Sequence, residues 1–227
     1  MPANLFQNSR IKIEQARRHV AEVERLLAEH AASITIIPGF PDGYDVPNHP
    51  SKIVVPLGSM QIRGVPEVVP ATIGDAIHNL RSALDLMAAD MARNNNESVD
   101  KVAFPFAESS SKFNKAMKER KFSRCGEIAI AIAIKTEPYK GGNSLLFAIH
   151  QLDISDKHDM LLPVVNGIGM PVIDTWTGSI VGDPTRPSSV TYTWPATNPL
   201  QGQDVVSSLQ QMADLITKVV DDFEAAH

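Results

Sequence analysis

Apolar residues recur at steps of three and four in three long stretches, and each predicts an amphipathic helix. In residues 5–30 the stripe is Ile13, Ala16, Val20, Val23 and Leu27, with Lys12, Arg17, Arg18, Glu22, Glu24 and Arg25 on the other faces. Residues 71–93 carry Ile73, Ile77, Leu80, Leu84, Met87 and Met91, with Ala76, Ala83 and Ala88 beside them. Pro70 and Thr72 suit the start of that helix, and Arg93-Asn94-Asn95-Asn96 its end. Residues 203–224 place Val205, Leu209, Met212, Ile216, Val219 and Phe223 at alternating steps of four and three. That stripe matches the first one and is expected to pack inside the chain rather than on a second copy.

Shorter helices are expected at 109–122, capped by Ser110 or Ser111, and at 144–153, with Leu145, Leu146, Ile149 and Leu152 inward. Residues 127–135 are ambiguous. Ile128, Ile130, Ile132 and Ile134 alternate with alanine at a strand period, but the helical neighbours favour a helix. Ser155 suits the cap of a new helical turn with Asp156 in its first turn. His19 and His30 read as surface or last-turn histidines.

Two blocks break the helical pattern. Seven of the 16 prolines fall between Pro38 and Pro70, among the β-favouring runs Ile34–Ile37, Ile53–Val55 and Met60–Ile62. Residues 164–195 hold Val164-Val165, Val172-Ile173 and Val190–Trp194 between Gly and Pro turns. The economical arrangement is a single α+β domain over residues 1–227. It has a mainly helical core of about five helices and a small antiparallel sheet drawn from residues 33–69 and 164–195.

Composition narrows the class. With 227 residues, 43% of them hydrophobic, the chain can build a core. A net charge of −5 argues against a general nucleic-acid coating protein. A single cysteine, Cys125, excludes a disulfide framework and a multi-cysteine zinc site, and it reads as an ordinary reduced thiol. No signal-peptide core and no apolar run of membrane-spanning length is present, so a cytoplasmic protein without membrane contact is expected. The longest apolar block, Ile128 to Ile134, is only 7 residues. Phosphate-binding glycine loops and a G-x-S-x-G elbow are absent.

Three polar constellations remain. His78, Arg81, Ser82 and Asp85 fall on the face of their helix opposite the apolar stripe, with Asp75 and Asn79 at its flank. An imidazole, a guanidinium and a carboxylate there could bind phosphate or move a proton, or simply form an Arg81–Asp85 pair with His78 on a carbonyl. Asp156-Lys157-His158 stands beside the apolar Met160-Leu161-Leu162. It either joins the first group in one site or forms a buried network at a helix junction. Residues 112–124 carry net +5 in a remainder of −10, with Lys112, Lys115 and Lys118 along one helix face. Phe113 and Phe122 would be stacking partners if this face bound phosphate or RNA, and core residues otherwise. His78, Asp85, Asp156 and His158 are acceptable metal ligands but lie in no recognised metal spacing, so neither metal nor cofactor is expected.

The string Ile73-Gly74-Asp75-Ala76-Ile77-His78-Asn79-Leu80-Arg81-Ser82-Ala83-Leu84-Asp85, followed by Phe104-Pro105-Phe106, Pro138-Tyr139 and Asp156-Lys157-His158, resembles a family of uncharacterised bacterial and phage-borne proteins. The likeness spans residues 73–158 and implies no activity. More distantly the helix resembles the motif helix of HEPN ribonuclease domains, in which an Arg and a His stand four to six residues apart. This chain has Leu86 where the related pattern has a histidine, so His78 or His158 would have to substitute. The expectation is a non-enzymatic accessory or binding protein, with homodimerisation open. The alternatives are a HEPN-like RNA-directed hydrolase and a small-molecule binding domain. In the hydrolase Arg81 would hold phosphate, His78 or His158 would move the proton, and Asp85 or Asp156 would orient the histidine. Asn79, Lys157, Lys112, Lys115 and Lys118 would be its binding residues.

Overall fold

A computed structural model describes residues 5–37, 59–157, 161, 163–169, 172–173, 180–181, 183 and 185–226. The strand expected at Ile53–Val55 lies outside them. The centre of the molecule is a pair of 27-residue helices, α1 (Gln7–Ser33) and α2 (Val68–Asn94), each about 40 Å long. Helix α1 buries the stripe read from its sequence, Ile13, Ala16, Val20, Val23 and Leu27, against α2. The last helix, α6 (Val205–Glu224), crosses both and buries Leu209, Met212, Ile216, Val219 and Phe223. This stripe therefore packs within the chain, as its match to α1 implied.

Helix α2 differs from the other two. Sixteen of its 27 residues are buried, more than one amphipathic stripe supplies. It is the central element, in contact with α1, α6, α5 (Ser144–Ser155) and the 3₁₀ turn Phe122–Cys125. Thr72 does not cap α2, because its hydroxyl donates to Val68 O at 2.8 Å inside a helix that starts earlier. Helix α3 (Ser110–Glu119) and helix α4 (Glu127–Thr136) complete the set, so the ambiguous isoleucine–alanine run is helical. The N-caps of α5 and α6 are side chains: Asn143 Oδ1 accepts from Leu146 N–H, and Asp204 Oδ1 from Ser207 N–H. Ser155 and Asp156 close α5 instead of opening a new turn, and Asp156 stands at its C-terminal cap.

Among the described residues the strands form three antiparallel pairs, each drawn from one block: β1 (Thr35–Ile37) with β2 (Ser59–Gln61), β3 (Val164–Gly169) with β6 (Ser189–Thr193), and β4 (Val172–Ile173) with β5 (Ile180–Val181). The two blocks touch through Ile36 N–H, which donates to Thr185 O at 2.8 Å. His30 reinforces that seam; of the two places read for it, it takes the last turn of α1 and is buried there. Its Nε2 donates to Arg63 O at 2.8 Å, and its Nδ1 stands 2.6 Å from the Tyr192 hydroxyl, which also lies 3.2 Å from Leu27 O. Among the described residues no helix is long and apolar enough to cross a membrane.

Candidate functional site

Helix α2 carries two polar networks that leave it in different directions. The inner one begins at Arg81, which is only 7% exposed. The face of α2 opposite the apolar stripe is itself packed at Arg81, and that packing takes up the guanidinium. Nη1 lies 2.5 Å from Asp85 Oδ1, Nη2 donates to Phe104 O at 3.3 Å, and Cζ stands 4.7 Å from the centre of the Phe106 ring. Asp85 Oδ1 also accepts from Phe104 N–H at 2.9 Å. One ion pair thus holds both backbone groups of Phe104, as well as the ring two residues on.

The same clip reaches the other motifs. Ala107 N–H donates to Pro138 O at 3.2 Å, and Lys140 N–H donates to Ala107 O at 3.0 Å. The Phe104-Pro105-Phe106 loop and the Pro138-Tyr139 turn are therefore joined by a short parallel bridge at Ala107 and Tyr139. His150 of α5 stacks on Phe106, 4.5 Å between centroids and 10° between planes. Its Nδ1 is buried without a hydrogen-bond partner. Burial first, and then the positive charges of Arg81 and Arg120, push the His150 imidazole down to about 4.

The outer network begins one turn earlier. His78 is exposed, and its Nδ1 lies 2.9 Å from Asp153 Oδ1 on α5. Lys157 Nζ holds the other oxygen of Asp153 at 2.9 Å. Burial pushes the Asp153 carboxyl up, but the hydrogen bonds from Lys157 and His78 outweigh it and leave the group below its ordinary value. His78 Nε2 has Ser82 Oγ at 3.4 Å, longer than a good O–H···N bond. Asp156 packs on the backbone of Gly74, where a Cβ would collide with its carboxylate. Burial, followed by the nearby Asp75 and Asp153, raises the Asp156 carboxyl. Asn79 turns toward α1, accepting from Lys12 Nζ at 2.9 Å while its amide donates to Asp75 O.

Of the residues read from the sequence, His78, Lys157 and Asp156 therefore share one edge of the α2–α5 junction. Arg81 and Asp85 belong to a separate, inward network. No hydrogen bond among the described residues joins His78 to Arg81, and His158 lies outside the described residues. The exposed pair Lys157 and His78 meets through Asp153, which the sequence reading missed. Its signal was a carboxylate among the apolar residues of α5, four residues before Lys157. Lys112, Lys115 and Lys118 are exposed on α3, with Lys115 Nζ 3.7 Å from Glu119. Phe113 and Phe122 are not stacking partners for a ligand there. Both are buried, Phe113 against Tyr139 and Phe122 edge-on to Phe104. Cys125 is buried as well, with Sγ toward Ala88 O, and burial pushes its thiol up to about 12. No group of three metal-ligating side chains occurs among the described residues. A groove of about 560 Å³ lies between α4 and α6, away from both networks.

Comparison of the chain with protein-family models, curated proteins and solved structures returns no match. The functional reading therefore rests on this geometry alone.

Proposed function

We propose that this chain is a non-enzymatic binding or accessory domain, in which the motif helix is a structural spine. The observation that carries this reading is the enclosure of Arg81. A guanidinium that is to hold a phosphate must present its N–H fork to an open cleft. This one is buried, with Nη1 ion-paired to Asp85 but making no hydrogen bond among the described residues, Nη2 on Phe104 O, and Cζ over the Phe106 ring. The described residues of the four motifs then have a common role. They tie α2, the Phe104 loop, the Pro138 turn and the end of α5 into one body, and contacts with partners fall to the outer faces.

The hydrolase reading keeps one observation in its favour. Asp153 orients His78 through Nδ1, which turns Nε2 toward the exposed side, as in a general base held by a carboxylate. Ser82, the neighbouring hydroxyl, sits in mid-helix, where its N–H is already bonded and contributes nothing to an oxyanion hole.

The two readings separate in a cleavage assay with the purified full chain and single-stranded RNA between about pH 5 and 8, the range in which histidine changes charge. The expected outcome is no cleavage above buffer. Cleavage by the wild type that disappears in His78→Ala and Lys157→Ala overturns the proposal. Both side chains are exposed, so both variants are expected to keep the fold.

A further inference from the structure

Helix α4 places its side chains the opposite way from a helix that only packs inward. Ala129 and Ala133 face the core and are fully buried, whereas Ile128 and Ile134 are 53% and 50% exposed. Ile130 and Ile132 pack along the two flanks. The small residues let α4 lie close to its neighbours, and the large ones are left partly in water, which is unfavourable for apolar surface.

The outer face also has an internal symmetry. At about 100° per residue, the exposed Ala131 marks its centre line. Ile128 and Ile134 stand three residues to either side, about 60° left and right of that line. Glu127 and Lys135 stand four residues to either side, about 40° off it and opposite in charge. The stripe reads the same in both directions except for the sign of its end charges. That pattern complements an antiparallel copy of itself.

We propose that two copies of this chain associate through α4 against α4, antiparallel, about a two-fold axis level with Ala131. The contact is isologous, each residue meeting its counterpart's partner in return. Ala131 of each copy falls at the closest approach and lets the axes come to about 8 Å. On each side of the seam Ile128 lies beside the aliphatic stem of Lys135 of the second copy, and Glu127 beside its Ile134, so that Glu127 and Lys135 of opposite copies stand at one level across the seam. A parallel pairing would instead bring Glu127 to Glu127 and Lys135 to Lys135, which like charges oppose. The groove beside α4 extends the surface with the half-buried Leu215 and carries both signs, at Lys218 and Asp222. A helix of ten residues is about 15 Å long, so the association belongs to the small, concentration-dependent class of interface. This inference does not depend on the proposed function.

Sedimentation velocity from low micromolar to sub-millimolar concentration tests it. The expected result is a monomer–dimer equilibrium that Ile134→Asp weakens by about tenfold or more, with helicity unchanged by circular dichroism. Glu127 and Lys135 also suit the dipole of their own helix, so a charge swap alone lowers helix stability as well as pairing. Mixing resolves the two effects. Glu127→Lys and Lys135→Glu each self-associate less, and an equimolar mixture of the two recovers a heterodimer. A chain that stays monomeric throughout overturns the proposal and leaves the face to a partner of different sequence. A dimer indifferent to Ile134→Asp and to the charge swaps overturns it too, because another surface then builds the dimer.

Discussion

Burying an arginine is unfavourable unless its charge and its N–H groups are met, and removing one partner of a buried pair exposes the full penalty. Arg81 is in that position, with a side chain 8% exposed against 38% for Asp85. Asp85→Ala therefore strands the guanidinium and also frees Phe104 N–H, and is expected to destabilise the chain by about 3 kcal/mol in urea unfolding. Arg81→Met keeps the bulk and leaves Asp85 its backbone donor and partial hydration, so a smaller loss of about 1–2 kcal/mol is expected. If both substitutions are neutral, the clip is not structural. The ion pair itself was legible in the sequence, because its members stand four apart on a helix. Its burial was not: that depends on the Phe104 loop, 19 residues from Asp85 along the chain. Asp153 was hidden for the same reason, since its imidazole partner lies 75 residues away.

At the scale of elements, periodicity located α1, α2, α5 and α6 to within a few residues, because each buries a face whose spacing is set by helix geometry, whereas α4 shows a strand period and is assigned from its helical neighbours. What periodicity does not carry is how one helix meets another, and the α2–α5 junction shows this. Gly74 lies in mid-helix, where alanine would ordinarily be better by about 1 kcal/mol. It stays glycine in a place where the Asp156 carboxylate lies against its backbone. Gly74→Ala is accordingly expected to destabilise by about 1 kcal/mol, and to become stabilising by a similar amount when Asp156→Ala is made with it. Thermal or urea unfolding of the two single variants and the double variant closes this cycle. Equal effects of Gly74→Ala in both backgrounds would mean that Asp156 does not set the approach of α5. The strands were legible as β-rich blocks but not as three separate pairs, since pairing is decided by turns and neighbours that short runs do not encode.

For the molecule as a whole, stability on acidification depends on His150. Its folded-state value near 4 lies below the ordinary 6.5. The unfolded chain therefore binds the proton more readily between those limits, and stability falls as pH falls through that window. The loss attributable to His150 is on the order of 1–2 kcal/mol once the ring's partial solvent access is allowed for. Asp90 and Asp156, raised by burial, act in the opposite sense at the acid edge of the window. Urea midpoints measured from neutral to about pH 4 are expected to decline for the wild type and to flatten for His150→Phe; an unchanged slope would remove His150 as the cause. The pairing of α1 with α6 acts at this scale too. Arg10 bonds Asp221 at 2.7 Å across 211 residues of chain, and Arg17 bonds Asp214 across 197. Helical proteins fold fast when their contacts are local, because little loop entropy is lost before contacts form. Here the central α1–α2 pair is completed by a segment from the far end of the chain. A protein this rich in helix is therefore expected to fold with the slow kinetics of a non-local topology, and α2 to remain half-sheathed until α6 arrives.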